Sequence, residues 1–396
     1  MKFFLNLVFL HLLGLGVHAS ERPNIILILS NDVPRKAIAS HAVESNTSNI
    51  RRLQENSVRY QIAWSMPTLL LSQETLLTGQ YPGRSKDMEF TTTIPSLLKQ
   101  SGYTTLTAGR WAKEDSIQMQ KALTTYSFEQ HCVLSDSLTN QGGHHILMDG
   151  IERTVVDPTE VINTYLSDFL QKVGDSPFFL FYPMLSGDAA QVNKQPNHSQ
   201  SDRVKYVDRN LGQLLKALDD NNLTNNTLLI FTAAHGFSSV KQDDSSNSKQ
   251  ASNRGTNESV HVPFIVQAPF LSEGQRVTRD LVDFTDVFPT LLEVTNTTRP
   301  AALELDGRSL LPSLKGNEDP FLKRNWIYAP FEKTHMIRDW QHFLDSHDNF
   351  HDLIKDPLQT EAVSPLDKQA PGRRLRLEIL LQRFMSKLNQ DEQSAK

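Results

Sequence analysis

The strongest constraint on the fold is a set of short, continuously apolar runs, each followed at a distance by a long amphipathic segment. The runs Ile25–Leu29, Phe178–Tyr182 and Leu228–Thr232 are strand-length and rich in branched or aromatic side chains. An unbroken run of this kind suits a strand buried on both faces. Asp157-Pro158-Thr159-Glu160 reads as a helix start, with an N-cap, a proline in the first turn and an acidic third position. Behind it Val161, Ile162, Tyr165, Leu166, Phe169, Leu170 and Val173 share one face; in the later segment Val204, Val207, Leu211, Leu214, Leu215 and Leu218 form a stripe. Ile94–Gln100 predicts a helix closed by Gly102, Tyr103–Ala108 and Val262–Ala268 predict strands, and Leu375–Leu388 predicts an amphipathic helix. Strands alternating with helices predict an α/β fold: a large, mostly parallel sheet between helices, with ligands bound beyond the strand ends.

The remaining features place the chain in a class. With 396 residues, 38% hydrophobic and 21% charged, it has enough apolar mass for a sizeable core. A net charge of −5 without a basic stripe speaks against a nucleic-acid footprint. Lys2, the apolar run Phe3–Val17 and Val17-His18-Ala19 have the form of a cleavable export signal, and the run is too short to span a bilayer. The expectation is a signal over 1–19 and a secreted or periplasmic protein that does not stay in the membrane after cleavage. The texture then divides at about 315, giving a larger unit over 20–315 and a smaller one over 316–396. Cys132 is the only cysteine, so no internal disulfide can form, and it reads as a small buried residue. Glycosylation sequons occur at Asn46, Asn197, Asn222, Asn225, Asn257 and Asn296. His144-His145 reads as an exposed loop.

Several segments together resemble the sulfatase family of the alkaline phosphatase superfamily. They include Arg22-Pro23-Asn24-Ile25, Leu76-Leu77-Thr78-Gly79-Gln80-Tyr81-Pro82, Gly109-Arg110-Trp111, Asn226–Thr232, His261-Val262-Pro263 and Asp306–Pro312. They run in the family's order over nearly all of the chain beyond residue 19. The resemblance implies a large mixed sheet between helices and a small C-terminal antiparallel sheet with a helix. It implies a calcium ion held by acidic residues at strand ends, and a formylglycine nucleophile made from the cysteine of Cys-x-Pro-Ser-Arg.

In this sequence those positions hold other residues. Counting back from Leu76-Leu77-Thr78-Gly79, Leu69 falls on the cysteine, Leu71 on the proline, Ser72 on the serine and Gln73 on the arginine. Leucine cannot become an aldehyde hydrate, which excludes formylglycine chemistry at this position. Asn31-Asp32 and Ala234-His235 replace the metal-binding pairs, leaving one carboxylate, so a Ca²⁺ site is weakened. Arg110 keeps a cation in the sulfate-binding segment, Asp188 stands where a histidine is expected, Ser252 where a lysine is expected, and His261 matches a family variant. Lys249 and Arg254 are near enough in sequence for a loop shift to restore one charge. Thr68 and Ser72 are the remaining hydroxyls near the missing nucleophile. Three readings stay open: a sulfatase-fold protein without sulfatase chemistry that acts by binding, with an extracellular glycan or other acidic ligand as the candidate; a metal-dependent sulfatase or phosphoesterase with a reassigned nucleophile; and a duplicate with no selected role.

Overall fold

A computed structural model describes residues 22–31, 33–35, 47–84, 92–111, 116–138, 143–185, 199–236, 255–272, 274–331, 333–363 and 371–393. The larger sheet has ten strands: β1 (Asn24–Ser30), β2 (Val58–Trp64), β3 (Thr104–Arg110), β4 (Gln130–Leu138), β5 (His144–Met148), β6 (Ile151–Val155), β7 (Phe178–Pro183), β8 (Thr227–Ala233), β9 (Phe264–Gln267) and β10 (Arg276–Asp283). Their spatial order is β10-β2-β9-β8-β1-β7-β3-β4-β5-β6. The centre is parallel, with β1 paired to β7 and β8, and β7 to β3. Antiparallel pairings enter through β9 and through the β4–β5–β6 meander. The three apolar runs are the central strands β1, β7 and β8, and every residue in them is buried.

Described helices are α1 (Ser48–Glu55), α2 (Leu69–Thr78), α3 (Ile94–Gln100), α4 (Ser116–Tyr126), α5 (Pro158–Lys172), α6 (Gln200–Asp220), α7 (Asn257–Val260), α8 (Val287–Val294), α9 (Leu311–Leu314) and α10 (Pro371–Gln393). Alternation along β1 assigns them to layers. Ile25, Leu27 and Leu29 face a core with Leu76 of α2, Leu97 of α3, Leu123 of α4 and Leu291 of α8. Ile26 and Ile28 face the other core, with Leu53 of α1, Leu166 of α5 and Leu211 of α6. Asp157 caps α5 as its sequence predicts, accepting from Thr159 N at 2.9 Å and Glu160 N at 3.1 Å.

The second sheet has four antiparallel strands, β11 (Ile327–Phe331), β12 (Thr334–Arg338), β13 (His342–Asp345) and β14 (Phe350–Asp352). It shares a third core with the large unit: Trp64, Met66, Tyr81 and Leu281 pack with Tyr328, Ile337 and Phe343, and with Leu377 and Leu381 of α10. Two sequence expectations change here. His144 and His145 lie on β5, His144 buried and His145 Nδ1 3.1 Å from Glu152 Oε1, because the run His144–Met148 pairs with β4 and β6 rather than looping out. Asn257 opens α7 and is buried, so its sequon is closed in the folded chain, whereas Asn222, Asn225 and Asn296 are exposed. Cys132 is fully buried, and burial pushes its thiol up to about 12. Among the described residues, no helix is long and apolar enough to cross a membrane. The segments 1–19, Asn46 and Asn197 lie outside the described residues.

Candidate functional site

Parallel strands β1 and β8 end side by side, with Ser30 in register with Ala233. Ser30 Oγ donates to Thr232 O at 2.9 Å, and Ala234 N to Ser30 O at 2.8 Å. Asn31 follows β1 directly, 5% exposed, and its Nδ2 donates to Met184 O at 3.1 Å beyond β7. The amide therefore ties two strand ends together. His235 is half-buried beyond β8; its Nδ1 donates to Gly236 O at 3.0 Å, which leaves the lone pair on Nε2. Ala234 brings no donor. Asp32 and Asp188 lie outside the described residues, as do Lys249, Ser252 and Arg254.

Helix α2 points its amino end at these strand ends. Thr68 is its N-cap, and Oγ1 accepts from Leu71 N at 3.3 Å. Leu69, the first helical residue, is half-buried and packs on the core of that layer. Ser72 is completely buried: Oγ accepts from Met66 N at 3.1 Å and donates to Ala234 O at 2.6 Å. Its hydroxyl is a strut between α2 and the end of β8. Gln73 is 2% exposed, and Nε2 donates to Arg110 O at 3.1 Å at the end of β3. Its Oε1 is buried and finds no hydrogen bond. Gly109, next to Arg110, has φ +124 and backs onto the Pro183 carbonyl, so a side chain there would collide with backbone. This close approach of β3 to β7 brings the end of β3, with Arg110, toward α2.

His261 forms a bridge with Trp64 between β2 and α7. Its Nε2 donates to Gln61 O at 2.9 Å, and Asn257 Nδ2 lies 3.5 Å from Nδ1. Burial first, then the cations Arg35 and Arg338, hold its pKa well below the usual histidine range. Neutral and bonded to backbone, it is a poor general acid. Asn257 Oδ1 in turn accepts from Trp64 Nε1 at 3.0 Å and from Arg338 Nη1 at 2.8 Å. Burial pushes Arg338 down to about 9. This Trp64–Asn257–His261–Arg338 network joins the two sheets, and residues nearly three hundred apart in sequence carry no local signal of it.

Among the described residues, no group of three or more His, Cys, Asp or Glu side chains could hold a metal. Of the described donors at these strand ends, Asn31 can offer a calcium ion only its neutral carbonyl oxygen, its Nδ2 donating to Met184 O, and His235 offers nitrogen to a cation that prefers oxygen.

The architecture is a mixed α/β fold, with a large, mostly parallel sheet between helices and a smaller antiparallel sheet. The family model described as Sulfatase matches residues 23–297, and the one described as N-sulphoglucosamine sulphohydrolase, C-terminal, matches residues 255–370. The chain belongs to the sulfatase family. Dog N-acetylgalactosamine-6-sulfatase is 23% identical over 77% of this chain and 68% of its own. Human steryl-sulfatase is 22% identical over 76% of this chain and 70% of its own. The ulvan-active sulfatase of Formosa agariphila is 23% identical over 78% of this chain and 61% of its own. A crystal structure of Ps i-CgsB in complex with k-i-k-neocarrahexaose superposes with a TM-score of 0.74 at 20% identity, covering 93% of both chains. A structure of BT4656 in complex with its substrate D-glucosamine-2-N,6-O-disulfate superposes at 0.69 with 16% identity, covering 93% of this chain and 98% of that one.

Proposed function

We propose that this chain is a sulfatase-family protein that does not hydrolyse sulfate esters and acts by binding. The carrying observation is Leu69 at the first turn of α2, where the family places its nucleophile. Sulfate-ester hydrolysis needs a strong nucleophile beside a cation that cancels charge on the sulfate oxygens. Leu69 supplies no nucleophile. The neighbouring hydroxyls are engaged elsewhere, Thr68 in the helix cap and Ser72 in the strut to Ala234. The replacement of the metal carboxylates by Asn31 and Ala234 supports the same reading, as does the neutral, backbone-bonded His261.

For the ligand we propose a carbohydrate, in an exported setting. Relatives are named for acting on N-acetylgalactosamine and ulvan, and two superposing structures hold saccharides.

The test is metal analysis of the purified protein, followed by aryl sulfate and aryl phosphate panels with and without Ca²⁺, Zn²⁺ and Mn²⁺. The expected result is no stoichiometric metal and no turnover. Metal-dependent turnover abolished by Thr68→Ala or Ser72→Ala would overturn the proposal in favour of a hydrolase with a reassigned nucleophile.

A further inference from the structure

We infer that the outer edge of the large sheet carries a second ligand site, for an acidic saccharide, built from Trp340, Arg279 and Gln61. Its origin is a bulge in the edge strand β10, where the register with β2 shifts between Thr278 and Leu281. A bulge takes residues out of the ladder and re-aims their side chains. Asp280 turns to the face of Tyr60, where it accepts from Ser313 Oγ at 2.6 Å and lies 3.0 Å from Lys323 Nζ. Arg279 turns to the opposite face, that of Gln61. Its Nε donates to Gln61 Oε1 at 3.3 Å, and its carbonyl, freed from the ladder, accepts from Trp340 Nε1 at 3.1 Å.

Trp340 stands at the tip of the turn between β12 and β13. Asp339 Oδ1 accepts from Gln341 N at 2.8 Å and from His342 N at 2.7 Å, and Arg338 donates to the Asp339 and Trp340 carbonyls at 2.8 and 3.1 Å. Side chains therefore hold the turn rigid while the indole stays 45% exposed. It is tied through Nε1 and has no ring or cation on its faces among the described residues. A fixed, open indole gains apolar contact from a flat partner at little cost in conformational freedom.

Charge selects the sign of that partner. Arg338 is buried, and its donors go to the Asn257 amide oxygen and two backbone carbonyls, none of them a carboxylate. Arg279 is exposed and bonds a neutral amide. Arg59 shares the face of Gln61, and Arg35 is close enough to His261 and Arg338 to lower the pKa of both. Against these four cations stand Glu258 and Asp339, and Asp339 is occupied by its own turn. Beyond the turn Gln341 links Arg373 to Asp352, one charge of each sign. The edge is left positive, so an oxyacid group is drawn to Arg279 while a pyranose ring lies on the indole and its hydroxyls meet the Gln61 amide. That the ring is a sugar rests on the carbohydrate reading of the strand-end site; the position and the sign do not. In the sheet order β10 is four strands out from β1, about 19 Å at roughly 4.8 Å per strand, so the two sites are separate.

Calorimetry on the full chain with a κ-carrageenan hexasaccharide, against the unsulfated agarose hexasaccharide, tests this, and iodide quenching of tryptophan fluorescence locates the ligand. Trp64 and Trp111 are buried and Trp326 is half-buried, so quenching reports chiefly on Trp340. The sulfated sugar is expected to bind saturably and to shield Trp340, with the unsulfated one about fivefold weaker or more. Arg279→Gln should weaken the sulfated sugar about fivefold and leave the unsulfated one unchanged. Trp340→Ala should weaken both about tenfold, and Trp340→Phe should recover most of that loss because a ring face remains. A wild-type unfolding transition shows that each variant is folded. The inference is overturned if the sulfated sugar does not bind, if it binds without shielding Trp340, if the unsulfated sugar binds as well, or if Arg279→Gln or Trp340→Ala leaves its affinity intact. Binding that survives both variants would belong to the strand-end site, whereas complete loss in Trp340→Ala would uphold this site and leave the strand ends without that ligand.

Discussion

At its amino end α2 presents Thr68, the half-buried Leu69 and the buried Ser72 strut to the ends of the central strands. At its carboxyl end, roughly 15 Å on, Gly79 turns the chain with φ +69 into a dense charged network. There Arg324 Nε lies 3.1 and 3.0 Å from the two oxygens of Asp286, which also accepts from Arg308 N at 2.7 Å. Tyr81 donates to Asp283 Oδ2 at 2.8 Å, and Asp283 accepts from Tyr328 N at 3.2 Å. Asp283, Asp286 and Arg324 are buried. The difference is physical. Losing one member of a buried charged network strands its partner without solvent, whereas a half-buried apolar position such as Leu69 can change its side chain without leaving a charge unpaired.

The comparison predicts its own largest effect. Arg324→Leu should cost about 3–5 kcal/mol, because Asp286 keeps a buried charge without its partner; urea unfolding measures it. A loss below about 1 kcal/mol would mean that water already reaches Asp286 and that this end of α2 is no more constrained than the other.

Ser72→Ala comes next. It removes the donor to Ala234 O and the acceptor for Met66 N, and should cost about 1–3 kcal/mol by the same measurement. A stability near wild type would identify Ser72 as a hydroxyl free for chemistry rather than a strut.

His261 gives a pH signature. Its folded pKa lies below the ordinary value near 6.5, so the unfolded chain takes up a proton first as pH falls. Stability is held above about pH 6.5 and lost below it, by up to about 1.4 kcal/mol per pH unit. Burial also lowers His131, His144 and His335, so the readout is the difference between wild type and His261→Gln across pH 7 to 5. Parallel curves would show that His261 protonates freely in the folded chain.

Much of the architecture is legible in the sequence for reasons that are local. The runs at 25–29, 178–182 and 228–232 can only be satisfied by burial on both faces, and they are the three central strands. Asp157 with Pro158 and Glu160 writes its helix start within four residues. The β4–β5–β6 meander is less visible, because β6 is mostly exposed and its polar sequence Ile151–Val155 looks like loop. At the site, the identities at 31, 69, 73 and 234 are read directly from register. What those residues do instead is set by contacts across long separations: Ser72 on Ala234, Gln73 on Arg110, Asn257 on Arg338. No periodicity or motif encodes such pairs.

The smallest expected effect is also the sharpest test of the amino end. Of the family's segment, Leu69→Cys and Leu71→Pro together should cost only about 1 kcal/mol, chiefly through loss of the Leu71 N–H that Thr68 caps. Proline is tolerated in a first turn, so the helix should persist. Gln73→Arg would also break the bond to the Arg110 carbonyl and place a second cation near Arg110. Even with the cysteine oxidised to its aldehyde by a formylglycine-generating enzyme, aryl sulfate turnover should stay at background with calcium added. The reason is that Ala234 and Asn31 supply neither of the carboxylates that a divalent ion would need beside that nucleophile. Turnover in the triple variant would show that the site lost its nucleophile alone, and would make the two ends of α2 far more alike than their side chains suggest.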